Sequence, residues 1–304
     1  MGFLGGCFGG AGGSPPPPPH YSPDTRGLAQ ASGAAGFSPP GSSGDQGPQI
    51  ALIVLEAYWE GDSQSKAYSF GAMLHAFFLQ PHFRHVDVRI ARLRSREDLQ
   101  AAAVEFSGLH IPAVVVFASH GEWGSLLLRA SDAMTVSSIL RKGSGSSKAA
   151  AEALATVDPR YVVSRGDIGD FVRGVPAVRV VHLGVCRGIR ATGVRGEAAG
   201  APSPGGGGRY RIADTAKSLR MDIGLPKGRH VSLSGYTTYA DWSCSAIAEF
   251  YYYRLLLDRH LDTCVLKVNA TMAAEQLLRD VRFAGYNESE FPGNEGLGFQ
   301  CFEL

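Results

Sequence analysis

The chain has 304 residues, 44% of them hydrophobic, with 29 Lys and Arg against 28 Asp and Glu. That length holds one large domain or two small ones with a real core, and a formal net charge of +1 gives no support to a general nucleic-acid binder, which would carry a basic face. No apolar run reaches the roughly 18 residues that span a bilayer, and the N-terminus lacks the charged and apolar regions of a secretory signal.

Residues Met1–Gly47 are rich in Gly, Pro and Ser, include the run Pro15–Pro19, and read as a disordered or extended tail without apolar periodicity. Gly2 and Cys7 are compatible with lipidation, but Gly6 stands where a myristoylation motif has Ser or Thr; a plain glycine-rich tail is the simpler reading. The folded part starts at Pro48. "IALIVLEAY" is a nearly continuous apolar run, as in a strand buried on both faces. Ser65–Leu79 has helical spacing, and Val86–Leu93 alternates like a strand. Ser95–Phe106 opens with Ser95 as N-cap and Asp98 three residues on, an approximate capping box. Pro112–His120 is the next buried strand, followed by a hairpin ("GSLLLRASD"), helical segments and a short helix at Ser164–Gly174.

Ala177–Cys186 and Arg229–Thr237 are two further core strands, and helices fit Ser243–His260 and Val268–Phe283. Strands alternating with helices predict an α/β fold, a three-layer sandwich with a mostly parallel central sheet. Two segments break the alternation. Arg141–Glu152 reads as a flexible connection, and Ala191–Tyr210 as a flexible loop too long for an ordinary link. The division expected is a tail over 1–47 and one domain over 48–304.

His120 and Cys186 both end predicted buried strands, and glycine follows each, as Gly121 and Gly188. Ligands of a parallel sheet bind beyond the carboxyl ends of its strands. If the two strands are neighbours, imidazole and thiol share one crevice, and the imidazole can lower the thiol pKa or take its proton. Glycine after the histidine lets a substrate carbonyl approach the backbone, whose N–H can hold a developing oxyanion.

"SHGEWG" (Ser119–Gly124) resembles the Ser-His-Gly-Glu segment of caspases, and "CRG" (Cys186–Gly188) resembles the end of their cysteine signature. "SGYTTYADWSCSAIAEFYYYRLL" resembles their post-catalytic strand, specificity loop and closing helix. The likeness spans about Gln49–Phe283, though its specific part is two short motifs. Gly184-Val185 replaces Gln-Ala before the cysteine. His120 and Cys186 lie 186 − 120 = 66 positions apart, against about 50 in the signature. The wider caspase-like (clan CD) cysteine peptidases, CHAT domains included, fit better than true caspases.

The resemblance implies a cysteine endopeptidase with a Cys-His dyad. His120 is then the base and Cys186 the nucleophile, with the Gly121 and Cys186 N–H groups as oxyanion hole. Caspases carry an arginine after the equivalent of Trp242; here Asp241 precedes it and Ser243 follows. An acidic S1 floor favours Arg or Lys at P1, with Asp241 and Trp242 as pocket candidates and Glu56, ending the first strand, as a second acid. The equivalent linker is often cut in this clan, and Arg190, Arg195 and Arg209 lie in or beside the Ala191–Tyr210 loop, where nicking is easiest.

The plainer readings remain beside this one. A lone His at a strand end is usually a satisfied rim residue, and a lone Cys in a strand a small hydrophobe. His182 shares a face with Cys186 but lies about 13 Å from it along a strand, and reads as structural. The five cysteines (Cys7, Cys186, Cys244, Cys264, Cys301) lack metal-finger spacing, which suggests free thiols in a reducing, cytoplasmic setting. Gly205–Gly208 is no phosphate loop, so neither cofactor nor metal is expected. "YYYRLLLDRH" has the spacing of a helix face against a sheet rather than of a base-stacking platform. The partners expected are a protein or peptide substrate and an activating protein, with no nucleic acid and no membrane span. The competing function is a catalytically inactive caspase-like interaction module.

Overall fold

In the run IALIVLEA successive side chains turn to opposite faces, so an apolar residue at every position calls for cover on both. The structure, a computed structural model, supplies it. It describes residues 48–57, 69–122, 124–142, 147–185, 188–189, 212–236, 242–258, 266–280 and 299–304; the tail (1–47) and the 191–210 loop lie outside them. In chain order the elements are β1 (Ile50–Ala57), α1 (Phe70–Phe78), β2 (Val86–Leu93), α2 (Arg96–Phe106), β3 (Ala113–Ala118), β4 (His120–Glu122), β5 (Ser125–Leu127), α3 (Ala130–Lys142) and α4 (Ser147–Leu154). There follow β6 (Val162–Val163), α5 (Arg165–Gly174), β7 (Val178–Gly184), α6 (Ile212–Ile223), β8 (Ser232–Tyr236), α7 (Trp242–Leu256), α8 (Leu266–Asp280) and β9 (Phe299–Glu303).

The central sheet has the order β2-β1-β3-β7-β8-β9. Its first five strands are parallel, and β9 joins β8 antiparallel. Side-chain parity sorts the two faces. Ile53, Leu55, Val115, Phe117, Val181 and Leu183 meet α2, α5 and α6 through Leu99, Phe106, Ile168, Phe171 and Leu219. Leu52, Val54, Val114, Val116 and Val180 meet α1, α7 and α8 through Leu74, Tyr252, Tyr253 and Leu277. This is a three-layer α/β sandwich. Tyr252 and Tyr253 are fully buried, so the tyrosine-rich stretch of α7 is a sheet-facing helix side.

The helix starts follow their caps. Asp98 Oδ2 accepts the Ser95 N–H at 3.1 Å, and in α5 the Ser164 N–H and Asp167 Oδ2 pair in the same way at 2.8 Å. Such caps stabilise a helix by about 1 kcal/mol. Ser69 Oγ accepts the Ala72 N–H at 3.0 Å, which starts α1 at Phe70 rather than at the predicted Ser65. The segment Arg141–Glu152, expected as a flexible connection, is helical at both ends: α3 runs through Lys142 and α4 begins at Ser147. "KAAAEAL" is made of strong helix formers, and Ala150 and Ala153 have a core to join at Leu127, Val136 and Leu140. No helix among the described residues is long and apolar enough to cross a membrane.

Candidate active site

β2 lies on one side of β1 and β3 on the other, so the order of the sheet reverses between β1 and β3, and ligands bind beyond the carboxyl ends of strands at such a point. The predicted His120 and Cys186 follow β3 and β7. These two strands are immediate neighbours, parallel, with Ala118 opposite Gly184. His120 and Cys186 thus each stand two residues beyond a paired position.

On the β3 side, Ser119 is buried and donates its Oγ–H to the Leu127 carbonyl at 2.7 Å. This ties the end of β3 to the hairpin that follows. His120 opens β4, which pairs antiparallel with β5 through His120–Leu127, Gly121–Leu126 and Glu122–Ser125. Residues flanking a two-residue turn form a hydrogen-bonded pair, and such pairs alternate with non-bonded ones along an antiparallel ladder. Gly121 falls in a non-bonded pair, so its N–H faces away from β5, and β4 is an edge of the small sheet β4-β5-β6. The imidazole of His120 is half-buried, and this desolvation lowers its pKa below the ordinary 6.5. At neutral pH it is held in the neutral form that can accept a proton.

On the β7 side, Cys186 and Arg187 lie outside the described residues, but the backbone on either side of them is fixed. The Gly188 N–H donates to the Val185 carbonyl at 3.3 Å, and the Ile189 N–H donates to the Tyr236 carbonyl of β8 at 3.2 Å. A Cβ on Gly188 would sit 2.6 Å from Val185 Cγ2 and 3.0 Å from Leu183 Cβ, closer than real Cβ contacts, so only glycine closes this segment without displacing its neighbours.

Of the pocket candidates, Glu56 is 3% exposed. Its carboxylate accepts the Ser69 Oγ–H at 2.6 Å and the Phe70 N–H at 2.7 Å. Both oxygens serve the start of α1, where the helix dipole favours an anion, which is the role of a helix anchor. Trp242 opens α7; its side chain, Asp241, Arg190, Arg195 and Arg209 lie outside the described residues. His182 is fully buried, with Nδ1 2.9 Å from Ser234 Oγ, a structural setting.

Sequence reasoning missed two groups near the strand ends. Glu249 of α7 is 3% exposed and accepts hydroxyl protons from Tyr236 and Tyr253 at 3.0 and 3.3 Å. Its carboxylate lies so close over Gly184 that a Cβ there would be 3.0 Å from Oε2. Arg165 is 7% exposed and pairs with Asp222 of α6 at 2.5 Å. The signal for Arg165 was in the sequence: a cation in the first turn of a capped helix opposes the helix dipole and needs a partner from elsewhere. No group of three His, Cys, Asp or Glu side chains able to hold a metal ion occurs among the described residues.

No protein-family model matches the chain, and a search of curated proteins finds no similar one.

Proposed function

We propose that the chain is a caspase-like cysteine endopeptidase acting through Cys186 and His120. The observation that carries this reading is the register of β3 and β7: neighbouring parallel strands, Ala118 opposite Gly184, with the two reactive residues at matching positions beyond. The lowered pKa of His120 supports it, because a neutral imidazole can take the thiol proton. So does the outward N–H of Gly121, a donor for one half of an oxyanion hole; the Cys186 N–H is the other half.

In this mechanism the Cys186 thiolate attacks the peptide carbonyl, and the carbonyl oxygen gathers charge against the two N–H groups. The protonated His120 then gives its proton to the leaving amine as the C–N bond breaks. Water, deprotonated by the same imidazole, attacks the thioester and releases the acid and the thiol. Asp241 beside Trp242 supplies the acidic pocket for Arg or Lys at P1. With Glu56 engaged at α1, the pocket assignment rests on Asp241. The Ala191–Tyr210 loop joins the anchored Ile189 to α6, and with Arg190, Arg195 and Arg209 it is the place for self-cleavage by an enzyme that cuts after basic residues.

The test is hydrolysis of fluorogenic peptides varied at P1 by the wild-type chain and by Cys186→Ala. Cleavage after Arg or Lys that disappears in the variant is the expected result. Cleavage after another residue keeps the nucleophile and removes the Asp241 pocket. No cleavage at any P1 residue, even with the 191–210 loop cut by an added protease, favours the inactive interaction module.

A further inference from the structure

The guanidinium of Arg165 stands where three physical effects oppose a positive charge or leave it without evident purpose. It is in the first turn of α5, whose dipole favours anions. It is buried, and the loss of water lowers its pKa, with the Asp222 carboxylate pulling the other way. A buried ion pair is also weak evidence for stability, because desolvation offsets much of the attraction. Geometry offers a better account of it.

Three separate segments of the chain converge on this one planar group. Nη1 reaches Asp222 of α6, the helix that follows the 191–210 loop, at 2.5 Å. Nη2 donates to the carbonyl of Gly188, two residues after Cys186, at 3.3 Å. On the side of the histidine hairpin, Gly124 has φ 80°, and a Cβ on it would fall 2.6 Å from Cζ, Nε and Nη2. Gly124, immediately before β5, therefore lies directly against the guanidinium. One rigid fork touches the hairpin that carries His120 and the segment that follows Cys186, and an acid beyond the loop holds the fork itself.

We propose that Arg165 is a positioning residue, setting the distance between His120 and Cys186 by holding both of their loops; this deepens the peptidase reading and rests on it. A lysine keeps the charge but lacks the planar fork, so it satisfies one contact and loses the other.

The test reads the thiol itself. The rate of Cys186 alkylation by iodoacetamide is followed by mass spectrometry of its peptide as a function of pH, in the full chain. Cys301 is an internal standard, because burial pushes its thiol up to about 12 and keeps it slow throughout. In the wild type the Cys186 inflection is expected below the roughly 8.5 of an ordinary thiol. Arg165→Met is expected to move it up toward that value, with kcat down by about 100-fold, the scale of a small misplacement, and KM little changed. Asp222→Asn moves it in the same direction, Arg165→Lys moves it less, and both provide the reading should Arg165→Met not fold.

Arg229→Met is the control. That guanidinium donates to the carbonyls of Val172 and Val175 at 3.1 and 3.0 Å near the opposite end of β7, and its loss should lower Tm without moving the inflection. Folded Arg165 and Asp222 variants with the wild-type inflection, or an equal shift in Arg229→Met, overturn the positioning role. A wild-type inflection at the ordinary thiol value overturns the dyad, and the positioning role with it.

Discussion

The two faces of the central sheet are buried to the same depth and built on different terms. Under α2, α5 and α6 the buried side chains of the strands are aliphatic and aromatic, and Phe117 meets Phe171 edge-on at 6.0 Å. Under α1, α7 and α8 the face is apolar at β1 and β3, apart from Glu56 near the end of β1, and turns polar at β7 and β8. There His182, Ser232, Ser234 and Tyr236 are all at most 1% exposed; His182, Ser234 and Tyr236 meet Glu249, Tyr252 and Tyr253, and Ser232 donates its Oγ–H to Glu303 at 3.3 Å. Phe299 of β9 stacks on His182 at 5.7 Å.

The first face is specified by volume, which many sets of apolar residues can fill. The second is specified by direction, because each buried polar group needs a partner at a set angle and distance. Glu249 Oε2 stands 3.6 Å from His182 Nε2 and lies over Gly184. A network with fixed directions thus lies under the strand end where placement matters most.

Changes on each face sharpen this contrast. Phe117→Ala opens a cavity in the apolar face, and a loss of about 3–5 kcal/mol is expected in urea denaturation, with Cys186 alkylation unchanged in the folded fraction. Glu249→Gln keeps the volume but replaces one acceptor oxygen with a donor. Its expected loss is smaller, about 1–3 kcal/mol, yet it should alter the alkylation profile. The contrast breaks if the two variants change stability and alkylation in the same proportion.

The smallest effect expected lies beyond both faces, at His120. Its pKa is depressed in the folded chain, so the unfolded chain binds more protons over the interval from the ordinary 6.5 down to the folded value. Stability therefore falls as pH is lowered through that interval. The slope of ΔG against pH there should be reduced in His120→Asn; an unchanged slope would mean that burial does not hold the imidazole neutral.

The apolar face was legible in the sequence almost residue by residue. Continuous runs as short and as rich in β-branched residues as AVVVFA and IALIVLEA read as central strands, and the pairs Ser95 with Asp98 and Ser164 with Asp167 mark helix starts through local chemistry. α6 and β9 were not read. Among the described side chains of α6, Leu219 and Ile223 mark the buried side, and β9 is five residues of which Phe299 and Phe302 pack into opposite layers of the fold.

The place of His120 and Gly121 just beyond β3 was legible, because the apolar run before them marks the strand. Glu249 was not, and Arg165 only as a cation in need of a partner, since their meaning comes from Gly188, Asp222 and Gly184, none within ten positions of either residue. Glu56 was noticed for the right reason, its place at a strand end, but its carboxylate belongs to the start of α1.

The proposed dyad joins strands that are neighbours in space but separated along the chain by β4, β5, α3, α4, β6 and α5. Pairing β3 with β7 closes a long loop, and closure of that kind costs chain entropy and slows folding. The intervening segment has its own small sheet, whose Leu127 packs with Val136 and Leu140 in a separate cluster. Once that cluster forms, the loop to be closed is shorter than its residue count. In kinetic terms the small sheet is a splint that shortens the closure of β3 on β7.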